Sequence, residues 1–285
     1  MWSLRSTELI NAPASTAAAA LRHTRTAEEG LRGLGVRGRA ETAAGELLVP
    51  GDDLAFRLAG AQLRTRVVRA GADRLASILI SGPLRELWHE SVLVEAGVSG
   101  SGGSAGERVR LTDVLSWRSP LGPLGRAVDV LAARRFAAAV QARRLAAVRE
   151  LAESWAQRAV VVGTAVVLGD RLLVQQRRYP ARDAGRWELP GGRVEPGETE
   201  RAAVIRECKE ELDIDVVPTG RVGTDVPLHN GMLLRVHVAE PADPDPAPRA
   251  VEHRAVRWAR AAELADLDWL EADRVLVHSL RELLG

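Results

Sequence analysis

Short runs of alternating hydrophobic and polar residues dominate the first 118 positions of the chain. The first run covers residues 1–12 and ends at an Asn-Ala-Pro sequence, and more runs follow from about 45 to 118. A period of two residues predicts β-strands. The glycine- and serine-rich segment 97–107 interrupts them, and alternation resumes on both sides of it. We therefore interpret this segment as a hairpin loop inside one sheet.

Helical patterns lie at both ends of this region. Ser15 is placed to cap a short alanine-rich helix after the first strand. The sequence SPLGPLG at 119–125 interrupts the strand pattern, and the apolar spacing that follows predicts a long amphipathic helix over 126–157. The first half of the chain is thus predicted as a sheet closed by one long helix.

The pattern of the second half is different. Two apolar strands flank the turn pair Gly169-Asp170, and Asn230-Gly231 predicts a second hairpin. The proline-rich segment 241–248 predicts a loop that cannot pair in a sheet, and the last helix is predicted over 273–284. We place a domain boundary near residue 157, which divides the chain into domains 1–157 and 158–285.

Composition excludes several classes of protein. Of 285 residues 46% are hydrophobic and 27% charged, and the formal net charge is +1, so no overall basic field indicates a nucleic-acid polymer as partner. The one cysteine, Cys208, cannot form an internal disulfide. The N-terminus makes a poor secretory signal, and no apolar run is long enough to span a membrane. We expect a cytoplasmic protein without a membrane partner, and the sequence does not predict its oligomeric state.

Carboxylates are concentrated between residues 188 and 214. Two glycine-proline pairs there predict a tight loop, and Thr199 is placed to cap a helix that ends at Leu212. Helical spacing puts Ile205, Cys208 and Leu212 on one side. It puts Glu207, Glu210 and Glu211 on the other, where they repel one another unless a cation joins them. Mg²⁺ or Mn²⁺ prefers oxygen ligands, although a solvated helix face remains an alternative.

At these residues the sequence resembles the Nudix hydrolases. The family's motif is G-x5-E-x7-R-E-U-x-E-E-x-G-U, where U is apolar. It is matched here by Gly192, Glu198, Arg206, Glu207, Cys208, Glu210, Glu211, Asp213 and Ile214. One position departs from it, because Asp213 stands where the family has glycine. Aspartate tolerates the backbone angle needed at a helix end better than most residues.

The resemblance implies roles for these residues. Glu207, Glu210 and Glu211 would bind the metal, which is Mg²⁺ or Mn²⁺ in its place, and one of them would accept a proton from the attacking water. Gly191 would offer its backbone carbonyl to the metal. Arg206, grouped with the catalytic residues, would pair with Glu198 and hold the loop against the helix, and Gly192 would be structural.

Glu252 lies where many family members carry an additional metal-binding or basic carboxylate. A surface glutamate at the start of a strand is the alternative.

The resemblance also implies a reaction and a class of substrate. Metal-assisted attack of water on a nucleoside triphosphate would release a nucleoside monophosphate and pyrophosphate. The sequence around the motif looks most like the mutator-type branch, which acts on oxidised purine and on cytosine nucleoside triphosphates. Arg177 or Arg178 could contact phosphate or base, or they could be solvated. Asp273 corresponds to a position that touches the base, which favours a cytosine nucleotide, but it is also a natural cap for the last helix.

Residues 1–157 resemble the helix-grip superfamily, which includes START domains and polyketide cyclases (SRPBCC). The resemblance lies in the first strand, in the segments SGPLRELWHE and LTDVLSW, and in the long helix. It implies an antiparallel sheet curled around that helix, with an apolar cavity for a small apolar ligand. We expect His89 to be a hydrogen-bonded, partly buried histidine and Trp117 and Trp155 to be core residues. The remaining histidines show no ligand spacing.

The predicted fold class is therefore α+β: a helix-grip antiparallel sheet followed by a Nudix α/β/α sandwich with a mixed sheet. Three functional hypotheses remain open. The first is a nucleoside triphosphate pyrophosphohydrolase with an appended ligand-binding domain. The second is a sensor that binds a nucleotide without turnover. The third is a hydrolase of another nucleoside diphosphate-linked substrate, such as ADP-ribose, a dinucleotide or a nucleotide sugar.

Overall fold

The computed structural model describes residues 1–32, 34, 36–42, 45–58, 61–97, 107–118 and 133–285. The chain divides into two compact units, Met1–Gln157 and Arg158–Gly285. Three predictions fall wholly or partly outside the described residues: the loop within 97–107, the break at 119–125, and the start of the long helix at 126–132. None of the helices in the described ranges has both the length and the apolar character that crossing a membrane requires.

The first unit is built on a seven-stranded antiparallel sheet with the order β1-β7-β6-β5-β4-β3-β2. Side chains of β1 alternate between the two faces, which confirms the strand predicted from the alternation at residues 1–12. Sequence reasoning did not single out β2, β3 or β4. The strands are β1 (Trp2–Ile10), β2 (Val36–Glu41), β3 (Asp53–Leu58), β4 (Ala61–Ala70), β5 (Arg74–Ser81), β6 (Glu86–Glu95) and β7 (Val109–Arg118).

Helices α1 (Ala14–Arg22), α2 (Thr24–Glu29) and α3 (Arg134–Trp155) complete the first unit. The predicted cap of α1 is wrong: the helix begins after Pro13, and the Ser15 hydroxyl is buried without a hydrogen-bond partner among the described residues. Trp117 and Trp155 are core residues as predicted. The buried stripe of α3 carries two polar side chains, Gln141 and Arg144, among apolar ones.

The second unit contains a mixed sheet whose central path has the order β10-β9-β8-β14-β12. Strand β14 runs parallel to β8, and the other pairs are antiparallel. Both predicted turns, Gly169-Asp170 and Asn230-Gly231, are confirmed because they connect paired strands. The strands are β8 (Val160–Leu168), β9 (Arg171–Gln176), β10 (Trp187–Glu188), β11 (Gly191–Arg193), β12 (Val216–Arg221), β13 (Val226–Pro227), β14 (Leu233–Pro241) and β15 (Ala255–Arg260).

Helix α4 (Glu200–Leu212) packs against this sheet. Its buried residues join Val162, Val166 and Leu173 of the sheet in one core cluster. The chain ends in a 3-10 turn (Leu264–Asp266) and two short helices, α5 (Glu271–Arg274) and α6 (Val277–Leu283). The prediction of one helix over 273–284 is therefore wrong, because the chain leaves the helical hydrogen-bonding pattern between the two.

Candidate active site

Helix α4 places the carboxylate-rich segment against the core. The Thr199 side chain accepts a hydrogen bond from the backbone N–H of Ala202 at 3.2 Å, which confirms the predicted cap. Asp213 ends the helix in the left-handed conformation, with φ 55° and ψ 34°. The exception to the family motif thus falls where aspartate is tolerated.

The predicted faces of α4 need one correction. Ile205 is 38% exposed, whereas Val204, Cys208 and Leu212 are fully buried. The buried face of the helix is therefore rotated from the predicted one and includes Glu211, which is only 8% exposed. Glu211 does not share a solvated face with the other two carboxylates.

Glu211 is held by two hydrogen-bond donors. Its Oε2 atom accepts from Gln175 Nε2 at 2.9 Å and from the backbone N–H of Gly191 at 2.8 Å. Burial raises the pKa of Glu211 to about 7, although the nearby His253 and these two hydrogen bonds act in the opposite direction. The Oε1 atom lies 3.8 Å from His253 Nδ1. One oxygen of this carboxylate is thus fixed on the glycine loop, and the other has no hydrogen bond of normal length among the described residues.

Glu207 lies directly against the backbone of the same loop. A Cβ atom added to Gly192 would come within 2.1 Å of Glu207 Oε1, and one added to Gly191 would come within 2.0 Å of the carbonyl oxygen of Val162. Gly191 also has a φ of +153°, which side chains rarely adopt. Gly191 is therefore required for the loop to pack against β8, whereas Gly192 leaves the space that the Glu207 carboxylate occupies.

Arg206 connects the loop to the carboxylates of α4. Its guanidinium forms two hydrogen bonds with Glu198, each 3.0 Å long, as the resemblance predicted. Its Nη1 atom also contacts Glu207 at 2.8 Å and Glu210 at 3.0 Å. Burial raises the pKa of Glu207, and Arg206 opposes this rise. Glu210 is exposed at this edge of the helix.

The carboxylates do not form a closed metal site in this conformation. Across the described ranges, no three His, Cys, Asp or Glu side chains are grouped closely enough to hold one ion. The donor set nevertheless suits a hard divalent cation, because Glu207, Glu210 and Glu211 offer only oxygens. Two of these carboxylates now share one guanidinium nitrogen, so a bound cation would compete with Arg206 for them.

His253 is a site residue that sequence reasoning missed. Its Nε2 atom lies 2.9 Å from Glu188 Oε1, and its Nδ1 atom faces Glu211. Glu188 also forms an ion pair with Arg177. His253 adjoins Glu252, the residue that the family resemblance singled out. The fold brings His253 beside Glu211, which lies 42 positions earlier in the chain.

Two of the less specific candidates lie at the surface. Glu252 is exposed, and none of the ion pairs or hydrogen bonds found for the described residues joins it to Glu207, Glu210 or Glu211. This placement favours the alternative of a surface glutamate. Arg178 is also exposed. Arg177, by contrast, is anchored by Glu188 and by the carbonyl oxygen of Tyr179 at 3.0 Å, which places it beside His253.

Asp273 is buried beside the glycine loop and does not cap the last helix. Helix α6 begins after Leu276, and no side chain caps it. The Asp273 carboxylate instead accepts a hydrogen bond from the backbone N–H of Leu189 at 3.2 Å. Burial raises the pKa of Asp273 to about 7, with the Leu189 hydrogen bond acting against the rise. The capping alternative is therefore wrong.

The packing of Gly192 against Glu207 gives a direct test of the loop. We expect Gly192→Ala to lower hydrolytic activity at least about 10-fold while changing the free energy of unfolding by less than about 1 kcal/mol, because the added Cβ displaces only the flexible end of Glu207. Gly220→Ala is the control, since no atom of the described residues lies within 4 Å of its added Cβ. Rate assays and urea unfolding measure the two quantities. Equal rates for the two variants would contradict this role for Gly192.

The second unit matches a known protein family. The NUDIX domain family matches residues 157–280. A Mycobacterium tuberculosis (strain CDC 1551 / Oshkosh) protein named "Putative 8-oxo-dGTP diphosphatase 2" is 46% identical over 129 residues, which are 44% of this chain and 90% of that protein. The CTP pyrophosphohydrolase of Escherichia coli (strain K12) is 30% identical over 123 residues, 43% of this chain and 91% of that protein.

Among solved structures, the solution structure of the E. coli ORF135 protein is 29% identical to this chain. The match covers 44% of this chain and 90% of that chain, with a TM-score of 0.40. The two curated relatives are covered almost completely. Arg206 joins the motif residues around the glycine loop. The chain belongs to the Nudix family, and its C-terminal unit is a Nudix hydrolase.

Proposed function

We propose that residues 158–285 hydrolyse a nucleoside triphosphate to a nucleoside monophosphate and pyrophosphate, with Mg²⁺ as the cofactor. The observation that carries the proposal is the contact of two α4 carboxylates with the same loop, Glu211 on the N–H of Gly191 and Glu207 against Gly192. The relatives named for 8-oxo-dGTP and CTP hydrolysis favour a triphosphate over other diphosphate-linked substrates.

In this proposal Glu207, Glu210 and Glu211 hold the cation, and the carbonyl group of Gly191 adds a further oxygen. The cation supplies charge neutralisation on the phosphate chain and lowers the pKa of a bound water. The protein's own groups have separate tasks. Gln175 and the Gly191 N–H fix the orientation of Glu211, which leaves its second oxygen to accept a proton. Arg206 holds the loop through Glu198 and balances the carboxylates.

A pyrophosphate-release assay tests the proposal. The full chain is incubated with Mg²⁺ and a panel of CTP, dCTP, 8-oxo-dGTP, ADP-ribose and a dinucleotide. Nucleoside monophosphate is measured for every substrate, because ADP-ribose and the dinucleotide release no pyrophosphate, and Glu210→Gln serves as the loss-of-activity variant. We expect pyrophosphate from at least one triphosphate, and its loss with a chelator. Turnover of ADP-ribose or the dinucleotide alone would replace the proposed substrate class, and nucleotide binding without any turnover would favour the sensor hypothesis.

The choice of base is proposed to depend on Asp273. Its side chain is buried next to Leu189, at the edge of the loop that carries Gly191. A carboxylate accepts hydrogen bonds from an exocyclic amine such as that of cytosine, and it becomes a donor as well once it is protonated. Arg177, which pairs with Glu188 close by, is proposed to help position the substrate.

We expect Asp273→Asn to change the ratio of kcat/KM for CTP to that for 8-oxo-dGTP by about 10-fold or more, because a buried amide offers a different set of donors and acceptors. Parallel kinetics on the two nucleotides measure the ratio. Asp268→Asn, an exposed change shortly before α5, is the control and should leave the ratio unchanged. If both rates for Asp273→Asn fall together, the residue only supports the Leu189 backbone.

For residues 1–157 we propose the helix-grip fold. The support is the seven-stranded antiparallel sheet, with the first strand paired to the last, together with the long helix α3 that packs on it. An experimental structure of the full chain, superposed on helix-grip domains, tests the proposal. A different strand order would overturn it.

A further inference from the structure

The first unit contains a cavity of about 330 Å³ between its sheet and helix α3. This volume is at the lower end of the range of about 300–1,000 Å³ found for pockets that hold small molecules. Most of the wall is apolar. It includes Leu54, Phe56, Leu63, Leu115, Phe136 and Val140.

One end of the cavity is formed by a buried polar cluster centred on Asp113. The Asp113 carboxylate is fully buried and contacts Arg144 Nη1 at 2.7 Å, Ser91 Oγ at 2.5 Å and His89 Nε2 at 3.0 Å. Gln141 Nε2 donates a hydrogen bond to it at 3.2 Å. These side chains come from β6, β7 and α3, so the cluster ties the sheet to the helix at this end of the cavity.

The cluster has more hydrogen-bond donors than its own acceptors use. All hydrogen bonds of the Arg144 guanidinium found among the described residues involve Nη1, although the group carries five N–H donors. His89 contacts Asp113 through Nε2, and its Nδ1 atom has no hydrogen bond among the described residues; Nδ1 is an acceptor in the neutral ring and a donor only in the protonated one. Both Asp113 oxygens are already engaged. Because Arg144 lines the cavity, its remaining N–H groups make this end suitable for a ligand group that accepts hydrogen bonds.

A second polar group in the wall lacks a partner. The Thr65 hydroxyl is buried, with the residue only 2% exposed, and it forms no hydrogen bond with any described residue. Thr65 lies on β4 and lines the same cavity. Leaving a buried hydroxyl unpaired is costly, and most such groups in proteins have a protein, water or ligand partner. This observation, independent of the Asp113 cluster, also indicates an occupant with a polar atom.

We propose that this cavity binds a small, mainly apolar molecule that carries a hydrogen-bond acceptor, a carboxylate above all, held at the end formed by His89 and Arg144. The mainly apolar body of the ligand fills the space between the sheet and α3. A polar substituent on that body pairs with the Thr65 hydroxyl. The inference deepens the helix-grip proposal for residues 1–157. It is independent of the hydrolase proposal for residues 158–285.

Calorimetric titration of the full chain with three matched probes tests this site: naphthalene acetate, the corresponding acetamide and naphthyl ethylamine. We expect saturable binding of the acid, weaker binding of the amide, and binding of the amine at least about 10-fold weaker than that of the acid, because an ammonium group would lie beside the positively charged Arg144 guanidinium. Failure of the acid to bind saturably, or preference for the amine, would overturn the proposal.

Variants of the cavity wall locate the bound probe. Ala137→Leu extends a side chain into the cavity from α3 and should weaken binding of the acid at least about 10-fold, while Ala138→Leu on the exposed face should not. Thr65→Val removes the unpaired hydroxyl with little change of shape. It should weaken binding of a hydroxyl-substituted naphthalene acetate about 2- to 10-fold, and it should not weaken binding of the unsubstituted acid. Binding that Ala137→Leu leaves unchanged would place the probe elsewhere and overturn the proposal. Pyrophosphate release by the same variants should stay at the wild-type rate, which separates this test from that of the hydrolase.

Discussion

Glu211→Gln is expected to lower the rate of nucleotide hydrolysis about 10²- to 10⁴-fold while the C-terminal unit stays folded, the range typical for loss of a group that transfers a proton. The carboxylate is oriented by Gln175 Nε2 and by the N–H of Gly191, both of which donate to the same oxygen. An amide has one oxygen instead of two. If that oxygen keeps both contacts, the amide NH₂ replaces the remaining oxygen and can accept neither a proton nor a cation.

Steady-state kinetics and thermal unfolding of the same preparations check this expectation. Glu240→Gln is the matched control, because it removes one carboxylate from an exposed position on β14. It should retain the wild-type rate. A folded Glu211→Gln protein with more than about a tenth of the wild-type rate would show that the reaction does not depend on Glu211.

Local patterns predicted the parts of this fold that depend on neighbours in sequence. Alternation identified β1, and the pairs Gly169-Asp170 and Asn230-Gly231 identified two turns. Thr199 was predicted as a cap from its position before the carboxylate-rich helix. Each of these features is determined by a few consecutive residues, so a single sequence is enough to find them.

Helical spacing alone was less reliable, because it does not say which face meets the core. The apolar positions of α4 suggested a face through Ile205, Cys208 and Leu212. Cys208 and Leu212 do lie in the core, but Val204 is buried there and Ile205 is exposed. Glu211 therefore lies on the buried side of the helix and not on the solvated side that the spacing predicted. A buried carboxylate is improbable from sequence statistics, and its tolerance here depends on donors from β9 and from the glycine loop.

Contacts between distant segments could not be predicted from the sequence. His253 meets Glu188 across 65 positions, and Asp273 meets the backbone of Leu189 across 84. In the first unit, the apolar spacing of α3 did not indicate that Gln141 and Arg144 lie on its buried face, where they bind Asp113 of β7. Buried polar groups find partners through the tertiary fold, and no local period marks such pairs.

Arg144→Met is expected to destabilise the first unit by about 3–5 kcal/mol, the cost typical of removing one partner of a buried ion pair. Methionine keeps most of the apolar volume of the side chain, but it leaves the fully buried Asp113 carboxylate without its charge partner from α3. Urea unfolding of the full chain, together with hydrogen exchange of the β6 and β7 amides, measures the loss. Arg135→Met, on the exposed face of the same helix, should change stability by less than about 0.5 kcal/mol.

The pH dependence of this difference separates the ion pair from simple packing. Burial alone would raise the pKa of Asp113, but the charges of His89 and Arg144, with the hydrogen bonds to His89 and Ser91, hold it below its usual range. A carboxyl group whose pKa is lowered by folding contributes stability that is complete above its unfolded pKa of about 3.9, and this contribution is lost as the pH falls through the folded pKa. The gap between wild type and Arg144→Met should therefore be largest near neutral pH and shrink as the pH falls below about 4. A gap that stays constant down to pH ~2 would mean that Arg144 stabilises the unit through the packing of its stem and not through its charge.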